Sequence, residues 1–355
     1  MEESFMEPLR DYIPEFKIRG SIGTVGNQNI DPYQFVPSME SEKSKWLDNN
    51  TQPITLKQPG LVSGNFTWET VRTLNLGFDI SALKNRLSAN FDLFRRDTKD
   101  MLMASKDLPN VYGASSPKTN AANLRTKGWE ASISWNDSFN LKGKAFHYSV
   151  VLGLADNTTK VTKYNNDNKT LGTPYEGQQL GEIWGYVVDG LFKTDEEAEN
   201  YPVNQSYVNN ILNISVKSQG LHAGDVKYVD LDGDNIISPT LSANDVKDQK
   251  VIGNSLPRYT YSVRLAADWN GIDFSALLQG VGRQHWYPNG ETSLFWGPYA
   301  RPYCTFIPKD FLTDVWSDDN PDAYFPRPRG YVALDVNPRE LSKPNTRYLQ
   351  NVAYC

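Results

Sequence analysis

The stretch GDVKYVDLDGDNIIS, residues 224–238, carries carboxylates at alternate positions, Asp230, Asp232 and Asp234. Side-chain oxygens at this spacing can wrap a hard cation, because calcium takes six to eight oxygen ligands in a flexible shell. The three aspartates fill the first, third and fifth positions of such a loop. The sequence therefore predicts a calcium loop at 230–238, in which the cation is a structural cofactor that removes the repulsion between neighbouring carboxylates.

Two positions of this loop depart from the usual calcium pattern. Asn235 stands where glycine normally permits the sharp turn, although asparagine tolerates positive φ better than most residues. The twelfth position is Leu241 instead of a bidentate acid, so Asp245 or Asp248 would have to close the shell, and Asp245 is taken as the fourth candidate ligand. The competing interpretation is a cluster of Asx turns whose carboxylates face water.

A second group of residues could bind a ligand in the segment 282–306, where aromatic rings alternate with planar polar groups. Rings of this kind stack on the C–H faces of sugars while amides and charges bond to the hydroxyls. The competing interpretation is packing of loop against loop, or against a lid protein. The candidate substrate-binding residues are Arg283, Trp286, Tyr287, Trp296, Tyr299 and Arg301.

The sequence gives little support for catalysis, and we do not expect an enzyme. His147, His222 and His285 are scattered, and no nucleophile motif or glycine-rich phosphate loop is present. The pair Asp318 and Asp319 could serve a glycosidase, but it stands before Asn-Pro and is typical of a loop cap.

Composition narrows the protein class further. Asp and Glu number 42 against 36 Lys and Arg, a net charge of −6, which argues against a nucleic-acid partner. Aromatic residues make up 12%, with 25 glycines and 21 prolines, as in a β-rich protein with many turns. No run of 18 apolar residues exists to predict a transmembrane helix. A membrane β-barrel would escape that criterion, because every second residue faces lipid.

Apolar and polar residues alternate with period two in long segments, which predicts an all-β protein made of antiparallel strands. In one of them, Leu87, Ala89 and Phe91 alternate with Ser88 and Asn90. The segments are TLNLGFDI, RLSANFDLF, WEASISWN, FHYSVVLGL, YSVRLAADW and IDFSALLQG, with a weaker one from Phe16.

Short and long connections between these strands alternate along the chain. A transmembrane barrel has this asymmetry, with tight periplasmic turns and long extracellular loops, whereas the alternative, a soluble sandwich, has no reason for it. The short connections are 80–86, 136–146 and 269–272, and the long ones are 26–68, 97–124, 156–260 and 283 onward, with short helices predicted at 194–201 and 308–316. The expected interfacial aromatic residues on the apolar face are Phe78, Phe94, Trp129, Trp135, Tyr148 and Trp269.

Seven sequence blocks in a fixed order resemble the C-terminal half of the barrel of the SusC/RagA family, the TonB-dependent outer-membrane transporters of Bacteroidetes. The resemblance covers nearly the whole chain. The blocks are FKIRGSIGTVGNQNIDPYQF, LNLGFDISALKNRLSANFDLFRRDTKDMLM, NLRTKGWEASISW, IWGYVVDGLFKTDEEAE, GDVKYVDLDGDNIIS, LPRYTYSVRLAADWNGIDFSALLQGVG and WSDDNPDAYFPRPRG.

The resemblance implies a fold and a cellular place. Residues 1–355 would form part of a plugged barrel, about eight strands of about 22, with the plug domain and the last strands absent. The region 156–260 would be a long extracellular loop that carries the acidic loop 230–238. The protein would lie in the outer membrane of a Gram-negative cell, in contact with its lipid.

The resemblance also implies a function and partners. The protein would import oligosaccharides or peptides, energised by the TonB complex through the missing N-terminal part and capped outside by a SusD-like lipoprotein. The alternative from a different class is a secreted or surface β protein, stabilised by calcium, that binds glycans or mediates adhesion.

Overall fold

The structure is a computed structural model, and it describes residues 7–10, 12–27, 36–57, 59–62, 67–104, 111, 117–209, 220–288, 292–299, 307–328 and 343–355. The chain divides into two compact units. The first comprises Met1–Asp167, Thr173–Leu180 and Tyr259–Gln279, and the second Asn168–Gly172, Gly181–Arg258 and Gly280–Cys355. No helix among the described residues is both long enough and apolar enough to cross a membrane.

Strands dominate the secondary structure, and helices are short. The strands are β1 (Glu15–Asn27), β2 (Ser41–Lys43), β3 (Ile54–Leu56), β4 (Glu69–Ala82), β5 (Leu87–Ala104), β6 (Lys118–Leu141), β7 (Lys144–Lys163), β8 (Glu182–Tyr186), β9 (Val188–Leu191), β10 (Val226–Tyr228), β11 (Gln249–Asn254), β12 (Arg258–Trp269), β13 (Ile272–Arg283), β14 (His285–Trp286) and β15 (Gln350–Asn351). The helices are α1 (Glu7–Arg10), α2 (Asp195–Glu199), α3 (Ser206–Asn209), α4 (Ser293–Trp296) and α5 (Phe311–Asp314), and a 3₁₀ turn spans Gly297–Tyr299.

The first unit is built on a seven-stranded sheet in the order β1-β4-β5-β6-β7-β12-β13. The pairs from β1/β4 to β7/β12 are antiparallel, which confirms the predicted all-β antiparallel class. Strand β6 has 24 residues and β7 has 20, well beyond the 9–11 that cross a membrane. In a membrane barrel, strands of this length would extend past the hydrocarbon layer.

The prediction that 97–124 is one long loop was wrong in its extent. Strand β5 runs on to Ala104 and β6 begins at Lys118, so much of this interval is paired sheet. In the outer part of β5, residues 97–100 are all polar and residues 101–104 are all apolar, so the strand loses the alternation by which it was recognised. Backbone pairing continues without it.

Tight turns close the hairpins at the end of the sheet where short connections were predicted. Lys142 and Gly143 have φ of 52° and 80°, and Asn270 and Gly271 have φ of 51° and 84°. Two consecutive positive φ values define the type I′ turn, whose twist matches that of the strands and which favours Asn-Gly. The sequence WNGI therefore encodes its own hairpin.

The pairing registers of β1, β4, β5, β6, β7 and β12 carry the alternating apolar residues to one face. Phe91 lies opposite Phe78 on one side and Ala131 on the other, and Ala131 lies opposite Leu154. On the reverse face, Asn90 lies between Asp79 and Ser132. The predicted alternation is thus confirmed across the sheet.

The second unit holds the most extensive hydrophobic core of the described residues. Three two-stranded ribbons, β8/β11, β9/β10 and β14/β15, surround it. The short helices predicted at 194–201 and 308–316 are confirmed as α2 and α5. The core residues are Tyr186, Leu191, Val203, Val208, Ala223, Val226, Tyr228, Ile237, Trp296, Tyr299, Val315, Trp316, Ala323 and Tyr348. The segments expected to be long loops therefore pack as a folded module.

Candidate functional site

The face of the sheet that carries Phe91 and Ala131, which we call the outward face, has an apolar band edged by aromatic residues. Leu76, Ile133 and Leu152 are 43%, 45% and 43% exposed. On β6 the band runs from Trp129 to Phe139, ten residue-to-residue steps or about 33 Å along the strand. At a strand tilt of about 40° this corresponds to a height of about 25 Å, the thickness of the apolar belt of an outer-membrane barrel.

Rings cluster at both edges of this band, where a membrane interface would lie. Phe91 stacks against Trp129 at one edge with ring centroids 6.2 Å apart. At the other edge Phe139 contacts Phe146 at 5.0 Å, and the indole N–H of Trp135 donates to the hydroxyl of Tyr148 at 3.1 Å. These contacts match the aromatic girdles of barrel proteins.

The prediction that Phe94 belongs to this apolar face was wrong. Phe94 lies opposite Gly128 and Asn75, with the polar positions. Its ring covers Gly128, because a Cβ added to that glycine would lie 2.5 Å from the ring. Covering a strand glycine, which has no side chain of its own, accounts for an aromatic ring on the polar face.

The inward face is polar and carries an ion cluster across three strands. Arg19 donates to Asp79 at 2.7 Å and to Asp92 at 3.0 Å. Near the tight turns, this face opens into a cavity of about 700 Å³ with His147 and Asp268 among its lining. His147 lies on this inward face, away from Phe146 and Tyr148, as its pairing with Ser138 and Asp268 shows.

The acidic loop folds around its first aspartate. The carboxylate of Asp230 accepts the backbone N–H of Gly233 at 2.7 Å and of Asn235 at 2.8 Å. Asn235 takes the left-handed conformation expected of it, with φ of 63°, and Ile237 is fully buried beneath the loop. Burial raises the pKa of Asp230, but hydrogen bonds from the N–H groups of Asn235 and Gly233, together with those to Asp248 and Asp232, bring the resulting pKa below its usual value.

Asp248 joins Asp230 and Asp232 in a converging group of carboxylates. One oxygen from each lies within 4.8 Å of the others, and Asp248 is fully buried. The other two candidate ligands lie outside this group: Asp234 accepts the N–H of Ile236, and Asp245 pairs with Lys247 at 3.8 Å. Asp245 was the weaker choice because the chain turns its exposed side chain towards a lysine.

Three of the candidate substrate-binding residues lie in the aromatic core of the second unit. Trp296 is 2% exposed and Tyr299 is 8% exposed. Trp296 contacts the ring of Tyr348 at 5.3 Å, and Tyr299 stacks on Phe325 at 5.6 Å. The hydroxyl of Tyr287 accepts from Asn345 at 2.9 Å. Packing, the competing interpretation, accounts for these three rings.

Burial has a measurable consequence for Tyr287. Its pKa lies well above the usual value, because desolvation disfavours the phenolate. The other candidates differ: Arg283 is exposed, Trp286 is 44% exposed, and Arg301 lies outside the described residues. Arg283 and Trp286 therefore retain surfaces that a ligand could reach.

Comparison with known proteins decides the family. A sequence model described as TonB dependent receptor-like, beta-barrel, matches residues 9–337. The chain belongs to this family. It is therefore an outer-membrane β-barrel protein, and the outward band is the lipid-facing surface of a partial barrel wall. The tight turns are periplasmic in such barrels, so the opposite ends of the strands, past the level of Trp129, lie towards the extracellular side.

Named relatives support the same family. The chain is 26% identical over 99% of its length to TonB-dependent receptor P26 of Formosa agariphila, and it covers 32% of that protein. It is 26% identical over 46% of its length to TonB-dependent receptor SusC of Bacteroides thetaiotaomicron, of which it covers 16%. The chain thus spans about a third or less of the length of these relatives.

Solved structures show the same fold. The RagAB peptide importer in its open-open state superposes with a TM-score of 0.65 over 97% of this chain and 33% of that one, at 18% identity. The RagAB peptide transporter gives a TM-score of 0.64. The relatives are named receptors and transporters, not enzymes, at the level of the family.

Proposed function

We propose that this chain forms part of the wall of an active outer-membrane importer that is energised through TonB. The observation that carries the proposal is the division of the sheet into an apolar outward face and a charged inward face. Such a wall can seal against lipid while it lines a polar path for a solute. Membership of the receptor family supports the same function.

The proposed substrates are oligosaccharides or peptides, delivered with a SusD-like surface lipoprotein. The RagAB peptide importer among the similar structures supports peptides, and SusC among the relatives supports a SusD-like partner. The burial of Trp296 and Tyr299 withdraws two of the rings that favoured sugars. Trp286 and Arg283 remain as candidate contacts, because both are exposed.

Growth of a deletion strain tests the proposal. Removing the gene from its host should abolish growth on one class of oligosaccharide or peptide, while growth on the corresponding monomers continues. A gene copy with its TonB-contacting segment deleted should fail to restore growth. If uptake of every oligosaccharide and peptide is unchanged but cells lose adhesion to a glycan surface, the alternative of a surface glycan-binding protein is correct instead.

We also propose that Asp230, Asp232 and Asp248 hold a structural calcium ion. Their convergence within 4.8 Å supports the proposal, because unscreened carboxylates at that distance repel one another. Lys247 approaches Asp232 at 3.4 Å and balances one of three negative charges. The pKa of Lys247 is raised above its usual value, chiefly by the hydrogen bond to Asp232.

Proteolysis of the segment 224–250 tests the calcium site. Calcium should slow cleavage in the full-length protein relative to chelator, because an ion that binds the folded loop favours it by mass action. The Asp232→Asn variant should lose this protection. Asp234→Asn is the matched control, since its carboxylate lies outside the converging group and the variant should keep the protection. Equal cleavage with calcium and chelator in the parent protein would exclude the site.

A further inference from the structure

The outward face of the sheet changes from apolar to basic immediately beyond the Trp129 edge of the band. Lys127 lies two residues past Trp129, about 7 Å along the strand, and pairs with Arg95 on β5. The next row across the sheet joins Arg72, Asp97, Arg125 and Lys160 on four neighbouring strands. These basic positions share the face that carries Leu76, Leu93 and Ala131.

Positive charges outnumber negative charges in these two rows of residues. Asp97 accepts from the guanidinium of Arg95 at 2.8 Å and of Arg125 at 2.6 Å, so one carboxylate holds two arginines in place. Lys127 and Lys160 are exposed and form no ion pair within the described residues. The chain as a whole carries a net charge of −6, so this excess of cations is a local departure.

The two lysines border a cavity of about 660 Å³. Its floor is the paired surface of β6 and β7, and the segment at Gly177 closes one side through a hydrogen bond to Val161 at 2.9 Å. Five of its lining residues offer cations or hydroxyls: Arg125, Lys127, Thr158, Lys160 and Thr162. The lining also holds one carboxylate, that of Glu176, against three cations. Cations and hydroxyls together are the donors that a phosphate group accepts from.

We infer that this basic patch, formed by Arg72, Arg95, Arg125, Lys127 and Lys160, binds the phosphate headgroup of an anionic lipid in the outer leaflet. Two features commit the surface to lipid. It continues the lipid-facing band on the same strands, so the acyl chains can lie on the apolar side chains below. Its charge is opposite to that of a phosphate at the level where headgroups begin.

Native mass spectrometry of the full-length protein in detergent tests the inference. The probes are dioleoyl phosphatidic acid, dioleoyl phosphatidylcholine and inorganic phosphate, each titrated separately. The parent protein should retain phosphatidic acid more tightly than phosphatidylcholine, and less tightly as salt rises. The double variant Lys127→Gln/Lys160→Gln should bind phosphatidic acid about thirtyfold more weakly, given the usual contribution of each lysine near an anionic surface.

Two further variants serve as controls. Lys84→Gln/Lys142→Gln removes two exposed lysines at the opposite, tight-turn end of the sheet and should leave lipid retention unchanged. Lys127→Arg/Lys160→Arg keeps the charge and should keep the binding. Heat-dependent mobility of the barrel in a detergent gel verifies that each variant is folded.

Four results would overturn the inference. Equal retention of phosphatidic acid by the parent protein and the glutamine variant would show that the patch does not bind this lipid. Equal weakening for phosphatidylcholine would show that charge recognition plays no part. Unchanged lipid binding by the glutamine variant, combined with loss of a co-purifying acidic protein, would assign the patch to that protein. Saturation of the patch by inorganic phosphate at the concentration at which phosphatidic acid saturates it would assign the patch to free phosphate.

Discussion

Gly224 shows how strongly one residue can be constrained at the centre of the second unit. Its φ of 85° lies in the left-handed region, and an added Cβ would meet the indole of Trp316 at 2.2 Å. The same residue donates its N–H to Phe192 at 2.8 Å and accepts from Arg327 at 2.9 Å. The backbone cannot shift to admit a side chain without breaking these bonds.

Replacing Gly224 by alanine should therefore destabilise the second unit. The left-handed backbone costs an alanine roughly 1–2 kcal/mol, and the overlap with Trp316 adds about 1–3 kcal/mol. Limited proteolysis of the full-length protein should show at least a tenfold faster cleavage between residues 181 and 258. Gly172→Ala, in the same unit with open space around it, should change little. Equal cleavage of both variants would contradict the packing seen at Trp316.

At the scale of single strands, the period of two decides what each side chain meets. Ile133 and Ser134 are neighbours on β6, yet Ile133 lies with Ala89 and Leu152 on the outward face. Ser134 lies opposite Ser88 and Val151 on the inward face. Because successive side chains point to opposite sides of a sheet, this contrast tests the orientation of the whole wall.

An arginine at these two positions should have opposite consequences. Ile133→Arg places a charge near the centre of the lipid-facing band, at a cost of roughly 2–4 kcal/mol, and should reduce the amount of folded barrel in outer membranes. Ser134→Arg should be assembled normally, because its side chain enters the polar side. The measurement is the heat-modifiable fraction of each variant in membrane extracts. Normal assembly of Ile133→Arg, or failure of Ser134→Arg in its place, would invert the assignment of faces.

At the scale of the molecule, each of the two units is stabilised in its own way. The second unit buries an aromatic core of its own, with Tyr186, Tyr228 and Tyr348 almost completely enclosed. The sheet of the first unit instead leaves its apolar side chains exposed and ends in the edge strands β1 and β13. Such a sheet depends on lipid on one face and on further strand pairing at its edges.

The 355-residue chain produced by itself should consequently aggregate in detergent-free buffer. Open edges pair with other chains, and the apolar band has no lipid to cover it. Light scattering after dilution from urea should show large particles without detergent and smaller ones when detergent is added. A soluble monomer with one cooperative unfolding transition in plain buffer would refute this dependence.

Apart from the outer parts of β5 and β6 and the face of Phe94, the sequence by itself determined the strands of the sheet, their faces and their tight turns. These features are local: alternation of apolar and polar residues fixes a face through backbone geometry, and Asn270-Gly271 fixes a turn through its allowed φ. The same locality let the sequence blocks indicate the family.

Tertiary structure decided the features that depend on contacts between distant segments. The sequence left Asp245 and Asp248 as alternatives, and the fold buries Asp248 beside Asp230 because residues 238–248 return under the loop. The fold also buries the side chain of Trp296 in a core to which Tyr348 contributes its ring. No local pattern near Trp296 could indicate this contact. Burial is set by what the rest of the chain brings to a side chain, whereas strand periodicity is set by the neighbours of that side chain along the backbone.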